Sequence, residues 1–155
     1  MVAETLESAY RRHAVELIRY ATVMVGPDDA ADVVTDALVR VFERTVDVSA
    51  VENMRALLFR AVHHRVVDHH RATKRRRTRE ALFERQRDIP IASGSAVDAR
   101  TTLAVLSPQQ RTVVFLTYWC DLAPGDIAGV LGVSDGTVRK QLARARARLR
   151  EVLDA

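Results

Sequence analysis

The stretch Asp126-Ile-Ala-Gly-Val-Leu-Gly-Val-Ser-Asp-Gly-Thr-Val-Arg-Lys-Gln-Leu142 decides how this chain of 155 residues is read. Pro124, just before it, suits the first position of a short helix, and Ile127, Ala128 and Leu131 fall on one face of that helix. Gly132 stands where the helix must reverse, a place that favours a residue free to turn left-handed. Val133 plugs the turn and Ser134 is a helix cap. Val138, Leu142, Ala145, Leu149 and Val152 then carry one apolar stripe through several turns. A short helix, a tight glycine turn and a longer second helix make a helix-turn-helix over Leu122 to Leu153. The second helix of such a motif enters the major groove of DNA with its N-terminal residues at the base edges.

The opposite face of the second helix says what it meets. Between Arg139 and Arg150 there are six basic residues and no acid. Arg144/Arg148 and Arg146/Arg150 are like-charge pairs one turn apart, and each destabilises an isolated helix by roughly 0.2–0.5 kcal/mol. A phosphate backbone relieves that repulsion and releases counterions as it does so. A run of arginines by itself is an ordinary solvated face; joined to a capped turn motif it points to DNA.

Upstream of the motif, Ser107-Pro-Gln-Gln110 combines proline at the first helical position with capping-box spacing, so a helix starts there and runs to about Trp119. From Arg75 to Ala99 the periodicity weakens, and Ile89-Pro-Ile-Ala-Ser-Gly-Ser-Ala96 reads as a linker. Some twenty extended residues span roughly 65 Å, enough to hold two modules apart. Before the linker, Leu6, Tyr10, Leu17, Ile18, Ala21 and Val25 mark one amphipathic helix, ended by Gly26-Pro27. Asp28 or Asp29 can cap a second, whose inward stripe is Val34, Ala37, Leu38, Val41 and Phe42. A polar loop at Thr45–Val51 leads to a third helix, about Glu52–Lys74, with Met54, Leu58, Ala61, Val62 and Val66 inward. The fold class expected is all-α: two small helical domains joined by a flexible linker, the second a helix-turn-helix domain.

Charge is also uneven along the chain. Residues 1–54 hold ten acids and five arginines, whereas residues 55–155 hold ten acids and nineteen Lys or Arg. A basic half suits a polyanion and an acidic half suits a protein partner. No apolar run is long enough to span a membrane and no secretory segment opens the chain, so a cytoplasmic protein without membrane insertion is expected. The single cysteine, Cys120, cannot form an internal disulfide and reads as a packing residue.

With these residues in hand, a family resemblance is specific. The run Asp126-Ile-Ala, Leu-Gly-Val-Ser134, Gly136-Thr-Val-Arg-Lys140 and Leu142-Ala-Arg-Ala-Arg146, with Leu106-Ser-Pro-Gln-Gln-Arg111 ahead of it, resembles region four of extracytoplasmic-function sigma factors of bacterial RNA polymerase. That resemblance implies binding to the minus-thirty-five promoter element and to the flap of the polymerase β subunit. It would put Arg139, Lys140, Arg144, Arg146 and Arg148 at bases or phosphates, with Gly136 and Thr137 at the groove entrance. More loosely, Asp32-Val-Val-Thr-Asp36 resembles the region-two helix that docks on the β′ clamp helices, which implies polymerase contacts at Asp32, Val33, Thr35 and Asp36. The family's usual Gln-Glu pair is Thr35-Asp36 here. Leu57-Leu-Phe-Arg-Ala-Val62 and Asp68-His-His-Arg71 fall where the family has its minus-ten helix, which implies DNA contacts at His64 and Arg71; a common asparagine of the family is His64. The implied domains are a region-two-like bundle at 1–76, a linker at 77–100 and a region-four-like domain at 101–155. The implied partners are core RNA polymerase, promoter DNA and, where one exists, an anti-sigma factor.

Other chemistries find little support. His63 and His70 share a helix face but lie two turns apart, roughly 10 Å, too far to share one zinc ion, so the four histidines between His63 and His70 are expected to be exposed near DNA. No metal, cofactor or catalytic residue is expected, and no enzyme. A helix-turn-helix regulator that is not a polymerase subunit is the alternative. A response-regulator version would need an α/β receiver, and no alternating strand pattern precedes Arg100.

Overall fold

A computed structural model describes residues 5–44, 51–80 and 100–154. Among these residues all regular structure is helical. Helix α1 (Leu6–Val25) starts from a reciprocal capping box in which Thr5 Oγ1 accepts from the Ser8 amide at 3.0 Å and Ser8 Oγ accepts from the Thr5 amide at 3.0 Å. It ends at Gly26, whose φ of 93° and ψ of 163° lie in a region open essentially to glycine alone. The Arg100 guanidinium crosses there, 3.2 Å from where a Cβ would stand. Helix α2 (Ala30–Arg44) follows. The capping expected of Asp29 takes a different form: its carboxylate meets His69 Nε2 at 2.9 Å and ties the turn to helix α3 (Met54–Glu80).

Helix α3 is capped by Asn53, whose Oδ1 accepts from the Ala56 amide at 2.9 Å. It continues six residues beyond the expected end at Lys74, because Arg75–Glu80 contains no glycine or proline and arginine is a good helix former. Residues 45–50 of the expected loop, and most of the expected linker, lie outside the described residues. A helical turn at 100–103 leads to α4 (Pro108–Tyr118), which starts in the capping box read from Ser107 and Gln110. Helices α5 (Pro124–Leu131) and α6 (Asp135–Leu153) complete the motif. Gly132 turns between them at φ 69°, and the Val133 amide reaches back to the Ala128 carbonyl at 3.0 Å. A Cβ on Gly132 would meet nothing within 4 Å, so Gly132→Ala costs the strain of a left-handed backbone and causes no clash. It should lower the unfolding free energy by about 1–2 kcal/mol, read from a denaturant midpoint, with Gly132→Asn less damaging.

The three N-terminal helices pack on one another, and α4, α5 and α6 do the same. The two halves do not stand apart as the sequence permits. They share one core, in which Tyr20, Leu58, Phe59 and Val62 meet Val113, Phe115, Leu116 and Ile127. The Tyr20 ring sits 5.9 Å from Phe59 and 6.0 Å from Phe115. A covalent connection makes the second half's effective concentration high, and lengthening a connection costs little further closure entropy. Burying an apolar side chain contributes roughly 1.5–3 kcal/mol, so a few shared residues suffice. Phe42, read as inward, is instead 50% exposed. None of the described helices is long and apolar enough to cross a membrane.

Candidate nucleic-acid interface

The capped turn aims helix α6. Ser134 Oγ accepts from the Thr137 amide at 3.1 Å and lies 2.9 Å from the Thr137 hydroxyl, so the Thr137 side chain is partly spent on the cap. Val138 and Ala145 are buried against the helices behind. An amide ladder missed in the sequence pins the same side: Gln141 Nε2 donates to Gln109 Oε1 at 3.1 Å, and Gln110 Nε2 donates to Gln141 Oε1 at 3.2 Å. A glutamine among arginines, next to Leu142 of the apolar stripe, was the available signal.

The rest of α6 faces outward. Gly136, Arg139, Lys140, Arg144, Arg146 and Arg148 are all exposed. Arg146 is engaged, with its Nε donating to Tyr118 Oη at 2.6 Å and its guanidinium 5.6 Å from the Tyr118 ring centre. Arg148 pairs with Glu151 at 3.1 Å. Arg139, Lys140 and Arg144 carry no side-chain bond to any described residue. Among the described residues Arg150 is likewise unpaired, but it lies in the last turn, whereas these three lie in the N-terminal half of the helix.

A second basic surface lies between α2 and α3. Arg40, Arg44, Arg60, His64 and Arg65 line a groove floored by Ala37, Val41, Leu57 and Ala61. Guanidinium groups over an apolar floor suit phosphates with an unstacked base between them. His64 is there, as expected, but the arginines around it were missed; Arg40/Arg44 and Arg60/His64 at i,i+4 spacing were the signal. Arg65 is partly tied, reaching Asp36 and Asp68 at 3.2 Å each. Arg71 is on a different surface, a mixed-charge groove with Asp29, Asp32, Asp36, Asp68, Lys74 and Arg75.

The acidic face of α2 differs from expectation in one residue. Asp32, Thr35 and Asp36 are exposed, but Val33 is 5% exposed and belongs to the core. The outer face instead continues through Val39 and Phe42, which are about half exposed. That is an apolar centre rimmed by Asp32, Asp36 and Glu43, the pattern of a helix that docks on another protein.

The histidines are not the exposed set expected. His64 is exposed, but His63 Nδ1 lies 2.9 Å from Tyr20 Oη, and His70 Nε2 donates to the Met24 carbonyl at 2.6 Å. Tyr20 Oη also lies 3.2 Å from Thr112 Oγ1, so this buried polar cluster joins the two halves. Burial, with minor help from His64 and His70, lowers the His63 pKa to about 4. Burial also raises the Tyr20 phenol, which stays protonated. Cys120 is buried as read, and burial, then Glu16, pushes its thiol up to about 12. Beside it, Arg55 donates to both Glu16 oxygens, at 2.8 and 2.6 Å, and to the Cys120 carbonyl. Burial opposes the Glu16 charge, but Arg55 and His13 outweigh it and hold that pKa below 4.5.

Comparison with known proteins gives the family of the chain. The Sigma-70, region 4 family matches residues 97–149. The RNA polymerase sigma-E factor of Streptomyces avermitilis is 33% identical over 155 residues, covering 96% of this chain and 85% of that protein. The RNA polymerase sigma factor CnrH of Cupriavidus metallidurans is 32% identical, over 93% of this chain and 84% of that one. The ECF RNA polymerase sigma factor SigL of Mycobacterium tuberculosis is 28% identical, over 97% and 90%. Among solved structures, CnrH in complex with the cytosolic domain of CnrY matches with a TM-score of 0.70 at 28% identity, covering 96% of this chain and 87% of that chain. The sigma factor RpoE of Bartonella quintana, solved with the anti-sigma factor NepR, has the same fold, with a TM-score of 0.78 at 24% identity and 96% of each chain covered. A capped helix-turn-helix with exposed cations, packed on a three-helix bundle, is thus the framework of a promoter-recognition protein. The chain belongs to the extracytoplasmic-function sigma factors of bacterial RNA polymerase.

Proposed function

We propose that this sigma factor carries core RNA polymerase to specific promoters in the cytoplasm and opens them by binding and strand separation, with no covalent chemistry by its own residues. The reading is supported above all by the outer face of α6, where Arg139, Lys140 and Arg144 are exposed and unpaired among the described residues. They grip the minus-thirty-five element, with Gly136 and Thr137 at the groove entrance and Arg146 and Arg148 on flanking phosphates. The groove of Arg40, Arg44, Arg60 and His64 takes the melted minus-ten strand, together with the loop that ends at Asn53, and Arg71 lies beyond it on α3. The outer face of α2, with Asp32, Thr35, Asp36, Val39 and Phe42, docks on the β′ clamp helices, and the C-terminal domain also meets the β flap. The working units are the bundle at 1–76 and the helix-turn-helix domain at 101–155. An anti-sigma factor is a further partner, since both solved relatives above were captured with another protein, for RpoE a named anti-sigma factor.

Run-off transcription with core polymerase over a genomic promoter library tests this function. Specific starts that depend on the chain are expected, and an intact polymerase complex that starts nowhere would overturn it. Arg144→Ala should weaken promoter binding and make the plot of log affinity against log salt shallower by up to about one unit. Unchanged affinity across salt concentrations removes Arg144 from the phosphate contacts.

A further inference from the structure

One cation of α6 is already held by the protein itself. Arg146 stands seven residues after Arg139. On a helix that is two turns further along and nearly in line, roughly 10 Å away. With the N-terminal residues of α6 at the base edges, Arg146 lies where the helix leaves the groove, beside the sugar-phosphate wall. Its partner is Tyr118, the last residue of α4. Arg146 Nε donates to Tyr118 Oη at 2.6 Å, and the guanidinium carbon lies 5.6 Å from the ring centre. Both side chains are open to solvent, Tyr118 at 53% exposure. Arg139, Lys140 and Arg144, without such a tether, are free to follow the base edges.

The bonding capacity left on this pair is mostly that of a donor. A phenol oxygen that accepts from Nε still has its own proton to give, and that proton meets no acceptor among the described residues. Both Nη groups of Arg146 are likewise without a partner among them. They form the end-on fork of a guanidinium, which matches two oxygens of one phosphate. Arg150, one turn on, is exposed and unpaired among the described residues, and an anion between the two like charges relieves their repulsion. We propose that Tyr118 and Arg146 form a ready-made clamp for one phosphodiester of the duplex backbone, with the Tyr118 hydroxyl and the Arg146 Nη groups donating to its non-bridging oxygens. The clamp rests on the DNA-binding reading of α6 given above and adds to it a residue from outside the helix-turn-helix. Tyr118 gives one bond of its own and also fixes the fork, so less side-chain entropy is lost when the phosphate arrives.

The test uses the full chain and a short fluorescent duplex selected from a random-sequence library by the chain itself. Tyr118→Phe removes the hydroxyl and keeps the ring and every charge. It should weaken duplex binding about fivefold and leave the slope of log affinity against log salt unchanged, because no cation is lost. Arg146→Ala should make that slope shallower by up to about one unit. Adding Tyr118→Phe to Arg146→Ala should then cost no more than about twofold, and a full penalty there overturns the pairing. Duplexes with one phosphate at a time replaced by a neutral methylphosphonate locate the contact. The Tyr118→Phe penalty should largely vanish at one phosphate and persist at the others. A penalty of the same size on every such duplex marks a strut between α4 and α6 that touches no phosphate, and overturns the clamp. Equal affinity of Tyr118→Phe and wild type overturns it too, as does a chain that selects no duplex. Binding to core polymerase is measured on the same preparations. Its absence overturns the sigma-factor function, and its presence with an unaltered Tyr118→Phe affinity overturns the clamp alone.

Discussion

Phe59→Ala lowers the unfolding free energy of the whole chain by about 3–5 kcal/mol, the usual loss for removing a fully buried aromatic ring. Phe59 is 0% exposed, meets Tyr20 edge-on at 5.9 Å and has the Arg55 guanidinium 5.8 Å from its ring centre. Tyr20 in turn packs on Phe115 of the second half at 6.0 Å. The loss is therefore felt in both halves. The sole tryptophan, Trp119, lies at the end of α4 and stacks on Phe115 at 5.5 Å, so its fluorescence reports the second half while helical circular dichroism reports the whole chain. In urea the two midpoints should coincide in the wild type and fall together in the variant. A fall in the helical signal with the Trp119 midpoint unmoved would mean that the shared core does not couple the halves.

Acidification from pH 6.5 to about 4 destabilises the chain by up to about 3 kcal/mol through His63 alone, at about 1.4 kcal/mol per pH unit of separation between the folded and unfolded pKa values. The His63 pKa falls from 6.5 to about 4 on folding because burial disfavours the imidazolium. Between those values the unfolded chain binds the proton and the folded chain does not, so stability rises with pH through this window and is complete above it. Burial lowers the His70 pKa as well, against its bond to the Met24 carbonyl, and adds to the slope in the same direction. Glu16, held below 4.5, starts to add its own loss as pH falls through 4.5 and continues below it. Melting temperatures of the wild type and of His63→Gln, which can still accept from Tyr20 Oη, check this. The variant should show a visibly flatter dependence between pH 6.5 and 4, and equal slopes would remove His63 as the titrating group.

The helix-turn-helix was legible because everything that builds it is local. Pro124, Gly132 and Ser134 act within a few residues of themselves, and the stripe Val138–Leu142–Ala145–Leu149 obeys the helical period whatever it packs against. The same holds for the capping box at Ser107 and Gln110. The free cations at Arg139, Lys140 and Arg144 were legible for a related reason: on a helix with one apolar stripe, the opposite face has no other place to go than solvent.

What periodicity left open depended on contacts between residues far apart in the chain. It does not distinguish a buried histidine from an exposed one, and His63 became a core residue only because Tyr20 and Thr112 meet it from two other helices. It put Phe42 inside, the resemblance put Val33 among the polymerase contacts, and packing decided otherwise for both. The arginine groove around His64 draws on two helices and appears only when α2 and α3 lie side by side. The two halves were readable as separate helical units from charge and linker composition. That they close on each other was not, because the residues that join them, Tyr20 with Phe115 and Asn53 with Asp126, carry no local pattern that marks a partner across so long a separation. Helix starts, turns and exposed charge follow from local backbone and side-chain preferences, whereas the shared core that joins the halves follows from burying apolar surface between distant segments.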